Sequence, residues 1–251
     1  MELGDIKAQA FAALRGPSVA VVLYGSHVRG RATPESDVDV LQVVSNPASA
    51  YRVGPVSVTP YTPNHLRTMA QRGSLFIRHV IDEGVVLHDP PRLIEQVRAC
   101  FRRPATYGGL RAEVCAASRL LDVSNEGYER RWRKYHSLVA HMVRSYAYSV
   151  LADRDELVFD WNDAVRALGA PELVSVIPLA RATLPSIDEF RSAIALLAKA
   201  CGAAPRNEYG TAEALIVNAY GRSPLTVILG LRLLNDSDAP LEYEALEEAG
   251  T

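Results

Sequence analysis

The chain has 251 residues, 48% of them hydrophobic and 22% charged, with a net charge of −2. That composition is ordinary for a globular protein and excludes disorder driven by charge. It carries no overall excess of basic residues to hold a long nucleic acid, and its longest apolar runs fall far short of the roughly 20 residues a bilayer needs. Cys100, Cys115 and Cys201 are odd in number and far apart. They form neither a disulfide framework nor a zinc pattern, and reduced thiols in a cytoplasmic protein are expected. The opening MELGDIKAQA lacks the basic and apolar regions of a signal peptide.

Residues 3–15 have helical spacing, with Ile6, Ala10, Phe11 and Leu14 on one face and Gly16-Pro17 as the stop. Residues 19–24 are a continuous apolar run, too short for a helix and suited to a buried strand. Gly25-Ser26 follows, opening onto a short helix-compatible stretch. Thr33-Pro34-Glu35-Ser36 is a turn, and 37–44 is a second strand. Residues 55–62 make a third strand, with Pro60 at an edge or end. Helix over 63–83, broken near Gly73, places Asp82 and Glu83 at a helix end. Residues 84–88 return as a strand.

After Pro90-Pro91 the pattern becomes helical, so a domain boundary is expected there: 1–90 as a mixed α/β domain, 91–251 as a helical bundle. The clearest helix spans 126–152. Tyr128, Trp132, Tyr135, Val139, Met142, Tyr146 and Val150 recur at alternating fours and threes, the mark of a buried stripe. Further helices are expected over 91–102, 107–123, 161–168, 172–183, 187–201 and 211–219. Residues 224–234 are apolar without a decisive period. The tail after Asn235 is acidic and expected to fray.

The chemistry concentrates in Leu23-Tyr-Gly-Ser-His-Val-Arg-Gly-Arg-Ala-Thr-Pro-Glu-Ser-Asp-Val-Asp-Val40. A strand delivering the backbone to Gly25-Ser26 and a helix start leaves N–H groups free for phosphate. Asp37 and Asp39, two apart on a strand, share a face. Side by side they repel unless a cation joins them, and their hard oxygens suit Mg²⁺. A phosphate cradle beside a carboxylate pair is a layout for metal-assisted nucleotidyl transfer.

This pattern resembles the minimal nucleotidyltransferases of the DNA polymerase β-like superfamily: Gly25-Ser26, then Asp37-x-Asp39, with Arg29-Gly30 and Ser36 in matching flanks. Gly84-Val-Val-Leu-His-Asp89 is similar to the end of that domain, and the resemblance covers roughly residues 15–90. It implies an α/β nucleotidyltransferase domain with a small mixed sheet and flanking helices, joined to an α-helical bundle. It also implies transfer of a nucleoside monophosphate from a nucleoside triphosphate, with ATP the expected nucleotide. Asp37 and Asp39 would be the catalytic and metal residues, with one or two Mg²⁺ ions. Gly25, Ser26, Arg29 and Ser36 would hold the nucleotide. The acceptor would be the hydroxyl of a small molecule such as an aminoglycoside, or of a protein side chain. A homodimer is compatible with this organisation.

The sequence departs from the family at one point. Active members usually carry a third carboxylate on the next strand, where this chain has Ser57 or Thr59. A base from the helical half, among Glu113, Asp122, Glu126 and Glu129, is one alternative. A non-catalytic nucleotide- or partner-binding protein is another. The helical half resembles the kanamycin nucleotidyltransferase-like architecture, in which it shapes the acceptor site. Arg131 with His136, inside a run holding Arg130, Arg133 and Lys134, also fits the loose pattern of HEPN ribonucleases. That leaves an RNA-cleaving module as a third alternative. His27, His65, His79 and His88 show no metal-ligand spacing.

Overall fold

A computed structural model describes residues 3–33 and 36–235. Pro34 and Glu35 of the expected turn, and the acidic tail, lie outside the described residues. The chain forms two compact units that divide between Pro104 and Ala105.

The first unit runs α1 (Leu3–Ala13), β1 (Ala20–Tyr24), β2 (Val38–Val43), β3 (Tyr51–Val53), β4 (Val56–Tyr61), α2 (Pro63–Gln71), α3 (Leu75–Glu83), β5 (Val85–His88) and α4 (Leu93–Cys100). Its strands make one mixed sheet in the order β3-β4-β2-β1-β5. β1 is antiparallel to both neighbours, and β2 runs parallel to β4. The hairpin strand β3, which sequence spacing does not reveal, pairs antiparallel with β4. The second strand begins at Val38, so Asp37 stands just before it rather than within it.

Strand periodicity sorts the sheet's two faces. Val21, Leu23, Val38, Val40, Val56 and Val58 form a core with Ile6, Ala10 and Ala13 of α1. The helix therefore buries positions advancing by four and three from Ile6. Phe11, expected on that face, lies about 100° round from Ala10 and is exposed. The opposite face carries Tyr24, Asp39, Leu41, Ser57 and Thr59 along paired positions. There α3 brings Phe76 and His79 edge-on to the Tyr24 ring, with centroids 5.5 and 5.6 Å away. Side-chain caps start both preceding turns: Thr62 Oγ1 accepts from His65 N and Ser74 Oγ from Ile77 N. Asp89 accepts from the Leu93 and Ile94 amides at 2.8 Å, capping α4. That cap and the packing of α4 on α2 keep α4 with the first unit, and the division falls after it instead of at Pro90–Pro91.

The second unit is helical: α5 (Gly108–Ala117), α6 (Asn125–Asp153), α7 (Trp161–Leu168), α8 (Val176–Ala180), α9 (Ile187–Cys201), α10 (Ala212–Ala219) and α11 (Pro224–Leu234). Short 3-10 turns precede α6 and α8, dividing the segments expected as single helices over 107–123 and 172–183. α6 is the axis, packing against α5, α7, α8, α9 and α11. Tyr128, Tyr135, Val139 and Met142 of its expected stripe are buried. The apolar segment 224–234 is a helix. Glu113 accepts from Ser223 Oγ and Leu225 N, satisfying its N-terminus. A Cβ on Gly230 would lie 2.4 Å from Ile216 Cγ1, so glycine there admits α10 to close packing. Among the described residues, no helix is long and apolar enough to cross a membrane.

Three expectations for this unit are changed by its packing. Cys115 of α5 and Cys201 of α9 form a disulfide with Cα atoms 5.5 Å apart, correcting the reading of three reduced thiols. Their separation of 86 residues hides the pairing from sequence spacing. Cys100 is free. His136 is buried, and its Nε2 lies 2.7 Å from Tyr128 Oη beneath the Phe190 ring. A ring enclosed in this way offers no face to an RNA backbone, and α6 departs from helical geometry at Arg131 (φ −139°). Glu113 and Asp122, two of the alternative bases, are engaged in packing: Glu113 as the cap of α11, Asp122 as acceptor for Asn207 N at 2.7 Å.

His141 on α6 is buried with neither ring nitrogen hydrogen-bonded. Burial, followed by the nearby charges of Arg144 and Arg232, holds its imidazole well below the ordinary histidine value of 6.5. The folded state therefore keeps the ring neutral while the unfolded chain takes a proton below that value. Stability present above pH 6.5 is expected to be lost as pH falls below it, at up to ~1.4 kcal/mol per pH unit for each such histidine. His136, also lowered by burial, adds to the same slope. Urea midpoints at pH 7.5 and 5.5 measure this, and His141→Leu should flatten the dependence. An unchanged slope in that variant would assign the effect elsewhere.

Candidate functional site

Strand β1 ends at Tyr24 and the backbone turns sharply. Gly25 has φ +83°, a conformation that side chains with a Cβ rarely adopt. A Cβ there would also lie 2.4 Å from Asp39 Oδ2. The sequence therefore brings backbone and carboxylate into contact, and only glycine leaves room for it. Residues 26–30 form hydrogen-bonded turns, with Arg31 N donating to Ser26 O at 3.1 Å, and not the regular helix expected there. Turn amides, in place of a helix N-terminus, are the donors a phosphate cradle would use here, and such amides converge on anions in a comparable way.

Asp39 leads out of this turn in register with Tyr24 on one side and Ser57 on the other. Ser57 pairs in turn with Arg52 of β3. Tyr24, Asp39, Ser57 and Arg52 thus stand in one cross-strand row on one face. Asp37 has the same parity just outside the strand. Its carboxylate is held by Arg52 through two bonds, Nη1 to Oδ1 at 2.6 Å and Nη2 to Oδ2 at 2.8 Å. Both partners are more than a third exposed, so this pair contributes little to stability.

Arg29 and Ser36 have other engagements. Arg29 Nη1 donates to Glu83 Oε2 at 2.6 Å and lies 3.2 Å from His79 Nε2, which is 3.2 Å from the same oxygen. Burial raises the Glu83 carboxyl, but the bonds from His79 and Arg29 outweigh it and hold it below its ordinary range. This cluster ties the turn after β1 to the end of α3. The sequence contains its trace, His79 and Glu83 one helical turn apart, but nothing local points to Arg29. Ser36 Oγ accepts from Thr33 N at 2.9 Å, closing the turn before Asp37, while His27 Nε2 donates to Ser36 O at 3.1 Å.

Among the described residues no third His, Cys, Asp or Glu joins a pair in a group able to hold a metal. The neighbour of Asp39 on β4 is Ser57, whose hydroxyl is neutral. The residues fit Mg²⁺ in one specific way. Mg²⁺ keeps several waters and is commonly held by one or two carboxylates together with substrate phosphates. Asp39 beside a glycine cleared of any Cβ, with Asp37 next to it, supplies that minimum and no all-protein cage.

Residues 7–97 match the family described as nucleotidyltransferase domain, from within α1 to within α4. No curated protein matches the chain at a significant level. The match takes in the sheet, the turn at Gly25 and both aspartates, and it ends before the helical unit. The segment of residues 7–97 is a nucleotidyltransferase domain of the minimal nucleotidyltransferase superfamily.

Proposed function

We propose that the chain transfers a nucleoside monophosphate from a nucleoside triphosphate, ATP first among them, to the hydroxyl of a small molecule or of a protein side chain. The acceptor oxygen bonds to the α-phosphorus, the bond from that phosphorus to the bridging oxygen breaks, and pyrophosphate and a proton are released. The observation that carries the reading is the contact between Gly25 and Asp39 inside the segment that matches the family. Asp39 and Asp37 are the residues that would hold Mg²⁺, which when bound neutralises the phosphates and polarises the one attacked. The turn over Gly25 and Ser26 presents backbone amides to the outer phosphates. Arg29, fixed by Glu83 at 2.6 Å, holds that turn in place. Net charge of −2 argues against a long nucleic acid as acceptor.

A second reading is favoured by one observation, the neutral Ser57 where a third carboxylate would stand beside Asp39. In it the chain binds metal–nucleotide without turning it over. One assay separates the two. The full chain is incubated with Mg²⁺, each labelled nucleoside triphosphate, and small-molecule or extract acceptors, and pyrophosphate is followed. Transfer is expected in the wild type and a loss of about 10²-fold or more in Asp39→Asn, the scale of several kcal/mol of charge stabilisation. Nucleotide binding by calorimetry without pyrophosphate release under any condition supports the second reading.

A further inference from the structure

We propose that Arg52 is an internal counter-cation that competes with a divalent metal for Asp37, so that the site takes up metal already chelated by a triphosphate in preference to bare metal. The inference rests on the reading of Asp37 and Asp39 as the metal pair.

The geometry of the pair points to this role. The guanidinium meets both oxygens of Asp37 at 2.6 and 2.8 Å, the fork-to-fork arrangement that engages a carboxylate in its own plane. Mg²⁺ needs a carboxylate oxygen at about 2.1 Å, and a fixed positive charge on the same carboxylate opposes it. The sheet makes this placement obligatory. Arg52 is in register with Ser57, and Ser57 with Asp39, so Arg52 shares the carboxylates' face. Its neighbour Tyr51 points to the other face, where its hydroxyl donates to Gln42 Oε1 at 2.8 Å and accepts from Arg15 N at 2.8 Å. Those bonds fix the register of β3, and a slip of one residue would carry Arg52 to the wrong side. With Arg52 in place, the two carboxylates and one guanidinium sum to −1, against −2 without it.

Exposure makes the pair exchangeable. Arg52 and Asp37 side chains are 43% and 37% accessible, so water can replace either partner at little cost. Bare metal arrives as a cation and must displace the guanidinium into water. A metal–triphosphate arrives with its own anionic oxygens, which accept the displaced guanidinium. Arg52 thereby changes from partner of Asp37 to partner of phosphate within one uptake event. The missing third carboxylate and the presence of Arg52 then have one consequence: weak affinity for metal alone.

Mn²⁺ binding to the full chain, followed by the electron paramagnetic resonance of the free ion, tests this without turnover. Arg52→Gln is expected to bind Mn²⁺ alone about five- to tenfold tighter than wild type, the scale of one exposed charge contact. Arg52→Lys, which keeps the charge, is expected to stay near wild type. With a non-hydrolysable ATP analogue present, the gain in Mn²⁺ affinity that nucleotide confers should be smaller in Arg52→Gln. Unchanged or weaker Mn²⁺ binding by Arg52→Gln overturns the proposal, as does equal tightening in Arg52→Lys. Wild-type Mn²⁺ affinity in Asp37→Ala/Asp39→Ala overturns the metal-pair reading itself, which is a different failure.

Discussion

Gly25→Ala is expected to remove nucleotide transfer and metal uptake while leaving a folded protein. Two costs combine at this position. A positive φ of +83° strains any residue with a Cβ, at about 1–3 kcal/mol. The added carbon also falls 2.4 Å from Asp39 Oδ2, so the carboxylate must turn away or β2 must shift. Either response moves the one carboxylate that the turn is built around. Misplacement by about 1 Å costs on the order of 10²-fold in rate. Gly30→Ala supplies the control, because Gly30 has φ +67° but nothing within 4 Å of its Cβ position. Both variants should lose stability in urea from the strained φ, Gly25→Ala the more because of the added close approach, and only Gly25→Ala should lose Mn²⁺ and nucleotide binding. Equal binding in the two would show that the close approach to Asp39 has no functional weight.

The second large effect belongs to the helical unit. The bond between Cys115 and Cys201 closes a loop of 86 residues. Chain-entropy arguments put the stabilisation from a loop of that length at about 4–5 kcal/mol. Cys115→Ser/Cys201→Ser should therefore lower the denaturant midpoint of the helical unit strongly. Free thiol counting under denaturing conditions, with and without reductant, should find one reactive cysteine in the oxidised protein, Cys100, and three in the reduced one. The double variant and the reduced wild type should then share a midpoint. A double variant as stable as the oxidised protein would mean that α5 and α9 are held by packing alone. Val114, Ala117, Phe190, Ala193 and Leu197 lie in one core and define what that packing is.

Much of the first unit is legible because its signals are local. A buried strand is apolar at every position, as Val21, Val22 and Leu23 are, and Gly25 with Asp39 falls within a single hairpin. The order of the two aspartates relative to the glycine is a matter of spacing, so the sequence displays it directly. Arg52 escapes such reading. It sits on a three-residue strand with no alternation to detect, and its partner Asp37 is defined only once β4 pairs with both β3 and β2. The Arg29, His79 and Glu83 cluster is hidden for the same reason, since 50 or more residues separate Arg29 from its partners. In the helical unit, the stripe on α6 marks a helix but cannot name what covers it. α11 lacks a decisive period because Leu225, Leu229 and Leu233 are buried while Leu231 faces out and Gly230 meets Ile216.

The cross-strand row terminates on the weakest element of the sheet. β3 has three residues and a single neighbour, and Arg52 and Val53 are exposed. Edge segments of this kind open locally at far lower free energy than a buried strand such as β1. Amide protons at Arg52 and Val53 should accordingly exchange with solvent long before those of Val21 to Leu23. Fraying of that edge carries the guanidinium away from Asp37 without disturbing Asp39, which is anchored on a central strand. The two aspartates, adjacent in space and alike in chemistry, would then differ in tempo: one is fixed with the sheet, and the other is released at the rate of its fastest-opening margin.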